Sequence, residues 1–250
     1  MPHTLKNKNI EIQIDLPNEN YNFSRFDWSG KITEVNFQNI PLAIAERNDV
    51  VNDAAFGKGF YNEFGIDTAL GFEEAPIGGW FHKIGVGLLK KEDDQYLFQK
   101  QYKIKPAQFG ITTTPNAMVI NCTSEYVHGY AYVLRKEIVL EECGFAINYT
   151  LVNTGEEDIR TDEYVHNFMA INKTLIGSDY ELKFPFRIRP ELFGDTVNNE
   201  KNVILGPKNI GFKGTPNEQF FCSTLSGTDG GIAIWELVHH QQRIGVSEMG

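Results

Sequence analysis

The sequence predicts an all-β protein, a large antiparallel sandwich built from many short strands. Apolar and polar residues alternate along Ile10–Leu16 and again along Phe145–Leu151, which is the pattern of half-buried strands. Similar runs recur at a spacing of roughly ten residues, and turn-forming pairs such as Asp229-Gly230 lie between them. Helical periodicity is nearly absent. We therefore expect a single β-sandwich domain over residues 1–250.

The expected elements follow one another with recognisable turn signals. After the first strand, residues 56–79 carry many glycines and no steady period, which is typical of a long loop. Residues 144–167 read as a hairpin, because two strand-like runs flank a tip at 153–157. The other strand-like runs are 96–104, 118–122, 130–140, 180–188, 220–224 and 231–237.

Composition and charge exclude several classes of protein. Of the 250 residues, 41% are hydrophobic, which is enough for a substantial core. The net charge of −10 argues against nucleic acid or an anionic membrane as the main partner. The 3 cysteines are too widely spaced for a disulfide framework or a zinc site, and no apolar segment reaches the length of a membrane span. We expect a cytoplasmic monomer or homodimer without a bound metal.

Residues 162–172, which read DEYVHNFMAIN, are the most informative segment. On a strand, Tyr164, His166 and Phe168 project to one side. Val165 and Asn167 project to the other, which is expected to be a core face interrupted by the one amide. Aromatic rings stack on the apolar faces of sugars, and a histidine exchanges protons near neutral pH. The combination indicates carbohydrate chemistry. The simpler alternative is a histidine at the edge of the core that is satisfied by backbone hydrogen bonds.

Six short motifs occur in one order between residues 52 and 172. They are GFYNEF at 59–64, GFEEA at 71–75, FHKIGVGLL at 81–89, GYAY at 129–132, NTG at 153–155 and YVHNF at 164–168. The ordered set resembles the galactose mutarotase-like superfamily, which includes the aldose 1-epimerases, and most closely a divergent bacterial branch. The resemblance implies a supersandwich fold, a small-molecule sugar as ligand, no cofactor, and anomer interconversion by general acid–base catalysis.

The resemblance also implies roles for individual residues. In the family, a histidine on an Asn-His-aromatic strand is the general acid, and the matching position is His166. Lys83 lies near the place of an arginine that holds sugar hydroxyls, and Gly85 and Gly87 would form open floor beside it on the same strand face. Glu63 is expected to bond sugar hydroxyls or to orient Lys83. The remaining expected substrate contacts are Tyr164, Phe168 and Asn167.

Each of these assignments has a simpler alternative. Lys83 would otherwise be a surface lysine beside a bulge. Glu63 would be a solvated carboxylate in the glycine-rich loop. Asn167 would tie down a neighbouring strand from the core side.

The general base is missing from the motif set. The family's catalytic carboxylate lies near its C-terminus, and nothing in residues 231–250 matches that region. Either the chain lacks its last strands, or another carboxylate such as Glu63 is the base, or the protein binds sugar without catalysis.

The sequence thus predicts a cofactor-independent aldose 1-epimerase. The alternatives are a non-catalytic carbohydrate-binding sandwich, and a structural sandwich whose Tyr164/Phe168 face is covered by a partner.

Overall fold

The protein is all-β, as predicted. The computed structural model describes residues 2–47, 55–189, 191, 196–217, 221–222 and 234–250. Within these ranges every strand pairing is antiparallel, and a 3-10 turn lies at Ile171–Lys173. The strands are β1 (His3–Lys6), β2 (Ile10–Asp15), β3 (Lys31–Phe37), β4 (Ile40–Pro41), β5 (Phe60–Phe64), β6 (Trp80–Lys83), β7 (Gly87–Lys90), β8 (Ile104–Pro106), β9 (Gln108–Thr113), β10 (Ala117–Thr123), β11 (Tyr132–Leu140), β12 (Phe145–Asn153), β13 (Glu163–Asn167), β14 (Tyr180–Lys183), β15 (Thr196–Val197), β16 (Val203–Leu205), β17 (Asn209–Phe212), β18 (Phe221–Cys222), β19 (Ile234–His239) and β20 (Ile244–Met249).

The chain divides into two compact units, Met1–Asn172 and Lys173–Gly250, where a single domain over 1–250 is the expectation from sequence. All six motifs of the family resemblance lie in the first unit. In the second unit, one sheet has the order β16-β17-β14-β19-β20, and β15 pairs with β18. The expected strands at 220–224 and 231–237 are described only at 221–222 and from 234 onward.

The first unit is a sandwich. Its two larger sheets have the orders β1-β2-β3-β5-β13, with β4 beside β3, and β12-β11-β10-β9, and a third sheet contains β6-β7-β8. Rings join the two larger sheets: Phe60 and Phe145 have centroids 5.2 Å apart, and Phe64 and Tyr149 have centroids 5.6 Å apart. The alternation of β2 is confirmed, because Ile10, Ile12 and Ile14 are buried.

Three sequence-based expectations about this unit are wrong. The strand expected at 96–104 is absent except for Ile104, where β8 begins. Residues 144–167 do not form a hairpin, because β12 pairs with β11 whereas β13 pairs with β5 in the other large sheet. Residues 56–79 are not one long loop, because they contain β5. Four of the five residues of β5 are buried. A strand that is covered on both faces has no polar side, and so it lacks the alternation that would reveal it.

Candidate active site

The candidate site is built on the pairing of β5 with β13. The register places Tyr164 opposite Glu63 and His166 opposite Tyr61. Residues that face each other across an antiparallel pair lie on one face, as do residues two apart on a strand. Glu63 and His166 are therefore diagonal neighbours on one face. Nε2 of His166 lies 3.1 Å from Oε2 of Glu63, a hydrogen bond between residues 103 positions apart.

Tyr164, His166 and Phe168 form a row of rings on that face, as the sequence predicts. The His166 ring lies 4.5 Å from the Tyr164 ring and is stacked at 5.7 Å on the Phe168 ring. Phe26 meets it edge-on at 5.1 Å. Tyr164 is 49% exposed and the His166 side chain 12% exposed. The row thus leads from solvent to a partly buried imidazole.

Glu63 is fully buried and is shared by three basic side chains. Its Oε2 accepts hydrogen bonds from Nε of Arg25 at 3.1 Å and from His166. Its Oε1 lies 3.9 Å from Nζ of Lys83 and accepts no hydrogen bond among the described residues. The alternative of a solvated loop carboxylate is wrong, because β5 carries Glu63 into the interior.

Arg25 anchors this carboxylate, and the sequence-based reasoning missed it. Its Nη1 donates to both oxygens of Glu46, at 3.1 and 3.0 Å, and to the carbonyl of Ala55 at 3.1 Å. Its guanidinium lies 4.4 Å from the Phe26 ring centroid and 5.6 Å from that of Phe98. The detectable signal was a lone cation inside an aromatic run, residues 21–28, because a buried cation needs a buried anion.

Lys83 is buried, and its ammonium is occupied by protein groups. Nζ donates to the carbonyl of Gly65 and to the hydroxyl of Tyr96, each at 3.0 Å. Burial lowers the pKa of Lys83 to about 8, and the charge of Glu63 opposes this shift. The alternative of a surface lysine is wrong. Lys83 is placed behind Glu63 rather than on an open surface.

The expected floor of glycines beside Lys83 is wrong. Lys83 is the last residue of β6, Gly85 lies in the turn that follows, and Gly87 pairs with Lys83 from β7. A Cβ at Gly85 would lie 2.6 Å from Oδ1 of Asp27, and one at Gly87 would lie 2.3 Å from the Lys105 carbonyl. Both glycines therefore allow protein segments to pack closely, and neither leaves open space for a ligand.

Asn167 and Val165 lie on the other side of β13. Asn167 pairs with Phe60 in the backbone ladder and is half-buried. Val165, which the sequence assigns to the core face, is 49% exposed. The reason is the position of β13 at the edge of its sheet, where one face is only partly covered.

Two surface clefts of the first unit lie elsewhere. One, of about 570 Å³, is lined by Leu151, Asn153 and residues 158–161. The other, of about 520 Å³, is lined by residues 68–71, two glutamates at 73–74, Tyr130 and residues 156–158 and 160. Neither is lined by His166. The candidate site is nevertheless the face that carries His166, because a proton-transfer site needs a titratable group at the reacting atom, whatever the size of a nearby cavity.

The described residues offer no arrangement for a metal and no membrane-spanning helix. No three or more His, Cys, Asp or Glu side chains in this part of the chain are grouped to hold a metal ion. Nor is any helix there long and apolar enough to cross a membrane.

Comparison with protein-family models, curated proteins and solved structures gives no significant match. The resemblance to the galactose mutarotase-like superfamily therefore stays a prediction from the motifs. What the protein does has to be inferred from the geometry around His166.

Proposed function

We propose that the protein is a cofactor-independent aldose 1-epimerase in which His166 is the general acid. One observation carries the proposal: a partly buried imidazole lies within a row of aromatic rings and is held by a buried carboxylate at 3.1 Å. The rings of Tyr164 and Phe168 offer apolar surface to the face of a pyranose or furanose. The imidazole is the group that can transfer a proton to a sugar oxygen within hydrogen-bond reach.

The reaction opens and recloses the sugar ring. His166 donates a proton to the ring oxygen as the bond between this oxygen and the anomeric carbon breaks, and the bonding pair stays on the oxygen. The anomeric hydroxyl loses its proton, and its former O–H electron pair becomes the second bond of the carbonyl. Rotation of the carbonyl group, followed by the reverse transfers, closes the ring on the other face. The reaction is isomerisation, so no electrons are gained or lost.

Glu63 is poorly placed to be the base of this reaction. Its Oε2 already accepts hydrogen bonds from Arg25 and His166, and the whole side chain is buried. We propose that water at the exposed end of the row takes the proton of the anomeric hydroxyl. With a general acid alone, we expect an acceleration near the lower end of the ~10²–10⁴-fold range of acid–base catalysis.

In this proposal Lys83 acts on Glu63 and not on the substrate. The sequence predicts that it holds sugar hydroxyls, yet its ammonium donates to Gly65 and Tyr96. We propose that it stabilises the buried carboxylate and does not contact the sugar. Asn167 lies on the opposite face of β13, where it pairs with Phe60 in the backbone ladder, and we propose that it does not contact the sugar.

Saturation-transfer NMR on free aldoses tests the proposal, because it measures anomer exchange directly. The protein should accelerate exchange, and His166→Ala should remove the acceleration. His240→Ala is the matched control, because His240 also forms a histidine–glutamate pair, with Glu181 at 2.9 Å, in the other unit. An exchange rate equal to that of buffer, over a panel of hexoses and pentoses, refutes the enzymatic proposal.

A second function, sugar binding without catalysis, is favoured by the burial of Glu63, whose Oε2 already accepts hydrogen bonds from Arg25 and His166. If no carboxylate serves as base, the aromatic row still binds a sugar face. The distinguishing result is a saturable affinity without accelerated exchange, together with little loss of affinity in His166→Ala. Chemical-shift titration of the isotopically labelled protein with the same sugars measures both.

A further inference from the structure

We propose that Glu63 is a positioning residue that fixes the proton of His166 on Nε2 and leaves Nδ1 as the nitrogen that exchanges protons with substrate. The role of Nδ1 rests on the proposed function. The locking of the imidazole by Glu63 does not, and it can be tested without any sugar.

The first step concerns the rigidity of the carboxylate. Glu63 is fully buried, and it receives the Nε–H of Arg25 at 3.1 Å. Arg25 is held in turn by both oxygens of Glu46 and by the Ala55 carbonyl. The planar guanidinium can satisfy these acceptors together in one orientation. Rotation of Glu63 would break both of its hydrogen bonds in the interior, so its Oε2 is a fixed acceptor.

The second step concerns the proton on the imidazole. A carboxylate oxygen that already faces an arginine N–H can only accept at its remaining lone pair. The contact of 3.1 Å between Oε2 and Nε2 therefore requires a hydrogen on Nε2. In the neutral ring the lone pair then lies on Nδ1, and in the imidazolium the second N–H lies there. Both states exchange their proton at Nδ1.

The third step concerns the accessibility of Nδ1. Among the described residues, the hydrogen bond to Glu63 is the only one that the His166 ring makes. The Phe168 ring is stacked on one side of the imidazole, the Tyr164 ring is tilted against it, and Phe26 meets it edge-on. The contacts fix the plane of the ring, while the side chain keeps 12% of its surface exposed. Nδ1 is the nitrogen left for a ligand.

The fourth step concerns the role of Lys83 beside the Glu63 carboxylate. Its ammonium lies 3.9 Å from Oε1, whereas Arg25 and His166 contact Oε2. It balances the charge of Glu63 without competing for Oε2. The sequence-based idea that Glu63 orients Lys83 is thus replaced by the converse, in which Arg25 and Lys83 hold Glu63 and Glu63 holds His166.

Nitrogen-15 NMR of the histidine rings tests the proposal on the sugar-free protein. His166→Ala assigns the His166 signals among the 6 histidines of the chain. Above the titration of the ring, the wild-type His166 should be predominantly the Nε2–H tautomer. A predominant Nδ1–H tautomer overturns the proposal. The tautomer is read on the wild-type protein, and the variant serves only to assign its signals.

Glu63→Gln supplies the causal test. The carboxamide presents a donor as well as an acceptor, so the excess of the Nε2–H tautomer should fall and a mixture should appear. Glu163→Gln is the matched control, because Glu163 lies on the same strand as His166 but bonds the Asn62 amide at 2.8 Å. It should leave the His166 spectrum unchanged. An unchanged spectrum in Glu63→Gln, or the same change in both variants, overturns the positioning role.

Anomer exchange separates this inference from the proposed function. If exchange is accelerated, Glu63→Gln should lower kcat by about 10-fold or more, which is a large part of the acceleration expected from a general acid alone, with a smaller effect on KM. If exchange is absent while wild-type His166 is the Nε2–H tautomer, the proposed function fails and the locking by Glu63 stands. Accelerated exchange with full kcat in Glu63→Gln overturns the positioning role alone.

Discussion

Lys31 is a buried ammonium without a hydrogen-bond partner among the described residues, and its removal should stabilise the protein. Within the described part of the chain the side chain is fully buried, and its Nζ donates no hydrogen bond. Burial lowers the pKa of Lys31 to about 8 from its usual value of 10.5, although the charges of Asp27 and Asp15 oppose the shift. Lys31→Met keeps most of the volume and removes the charge.

The magnitude follows from the linkage between pKa and stability. At 1.36 kcal/mol per pKa unit, the shift from 10.5 to about 8 corresponds to a cost of about 3 kcal/mol at neutral pH. The folded state loses the proton near pH 8, whereas the unfolded chain keeps it up to about pH 10.5. The unfolded state therefore binds more protons in this window, and stability rises with pH. Between about pH 7 and about pH 9.5, the cost of Lys31 to the free energy of unfolding should therefore fall by about 2 kcal/mol.

Urea unfolding of both proteins at these two pH values measures the effect. The difference between the free energies of unfolding of wild type and variant isolates the effect of Lys31. It removes the contributions of Lys83 and Lys136, whose pKa values burial also lowers. Lys31→Met should be more stable than wild type near pH 7, and its advantage should shrink by about 2 kcal/mol near pH 9.5. Lys58→Met, a surface change next to Glu34, should alter stability by about 1 kcal/mol or less. A pH-independent difference between wild type and Lys31→Met would refute the claim that the ammonium is desolvated.

Two further changes probe the interior and the exposed end of the row. Asp27→Asn should destabilise the protein by about 3–5 kcal/mol, because it leaves the buried Lys136 without its carboxylate. Nζ of Lys136 lies 3.4 Å from Oδ2 of Asp27, and the Tyr149 hydroxyl donates to the same oxygen at 2.6 Å. Thermal and urea unfolding check this, and a loss under ~1 kcal/mol would contradict the buried ion pair. Tyr164→Ala should weaken sugar binding with little loss of stability, because the ring is 49% exposed. Sugar titration and urea unfolding measure the two effects, and unchanged affinity would remove Tyr164 from the binding surface.

The all-β class and several strands could be predicted from the sequence because their signal is local. A strand with one face to the core and one to solvent alternates, and β2 was recognisable for this reason. The row of Tyr164, His166 and Phe168 was predictable because residues two apart on a strand share a face. The strand β5 was not, because it is covered on both faces and looked like a glycine-rich loop.

The alternation of apolar and polar residues along the chain by itself determined the fold class. One short segment, residues 162–172, determined the row of His166 and its aromatic neighbours. Only the tertiary structure decided what holds that histidine. Arg25 and Glu63 are 38 positions apart, and Glu63 and His166 are 103 apart. Their meeting depends on the pairing of β5 with β13 and on the packing of Arg25 against Phe26 and Phe98. Such contacts between distant segments leave no periodic trace in the sequence, because strand register and core packing select them only when the chain folds.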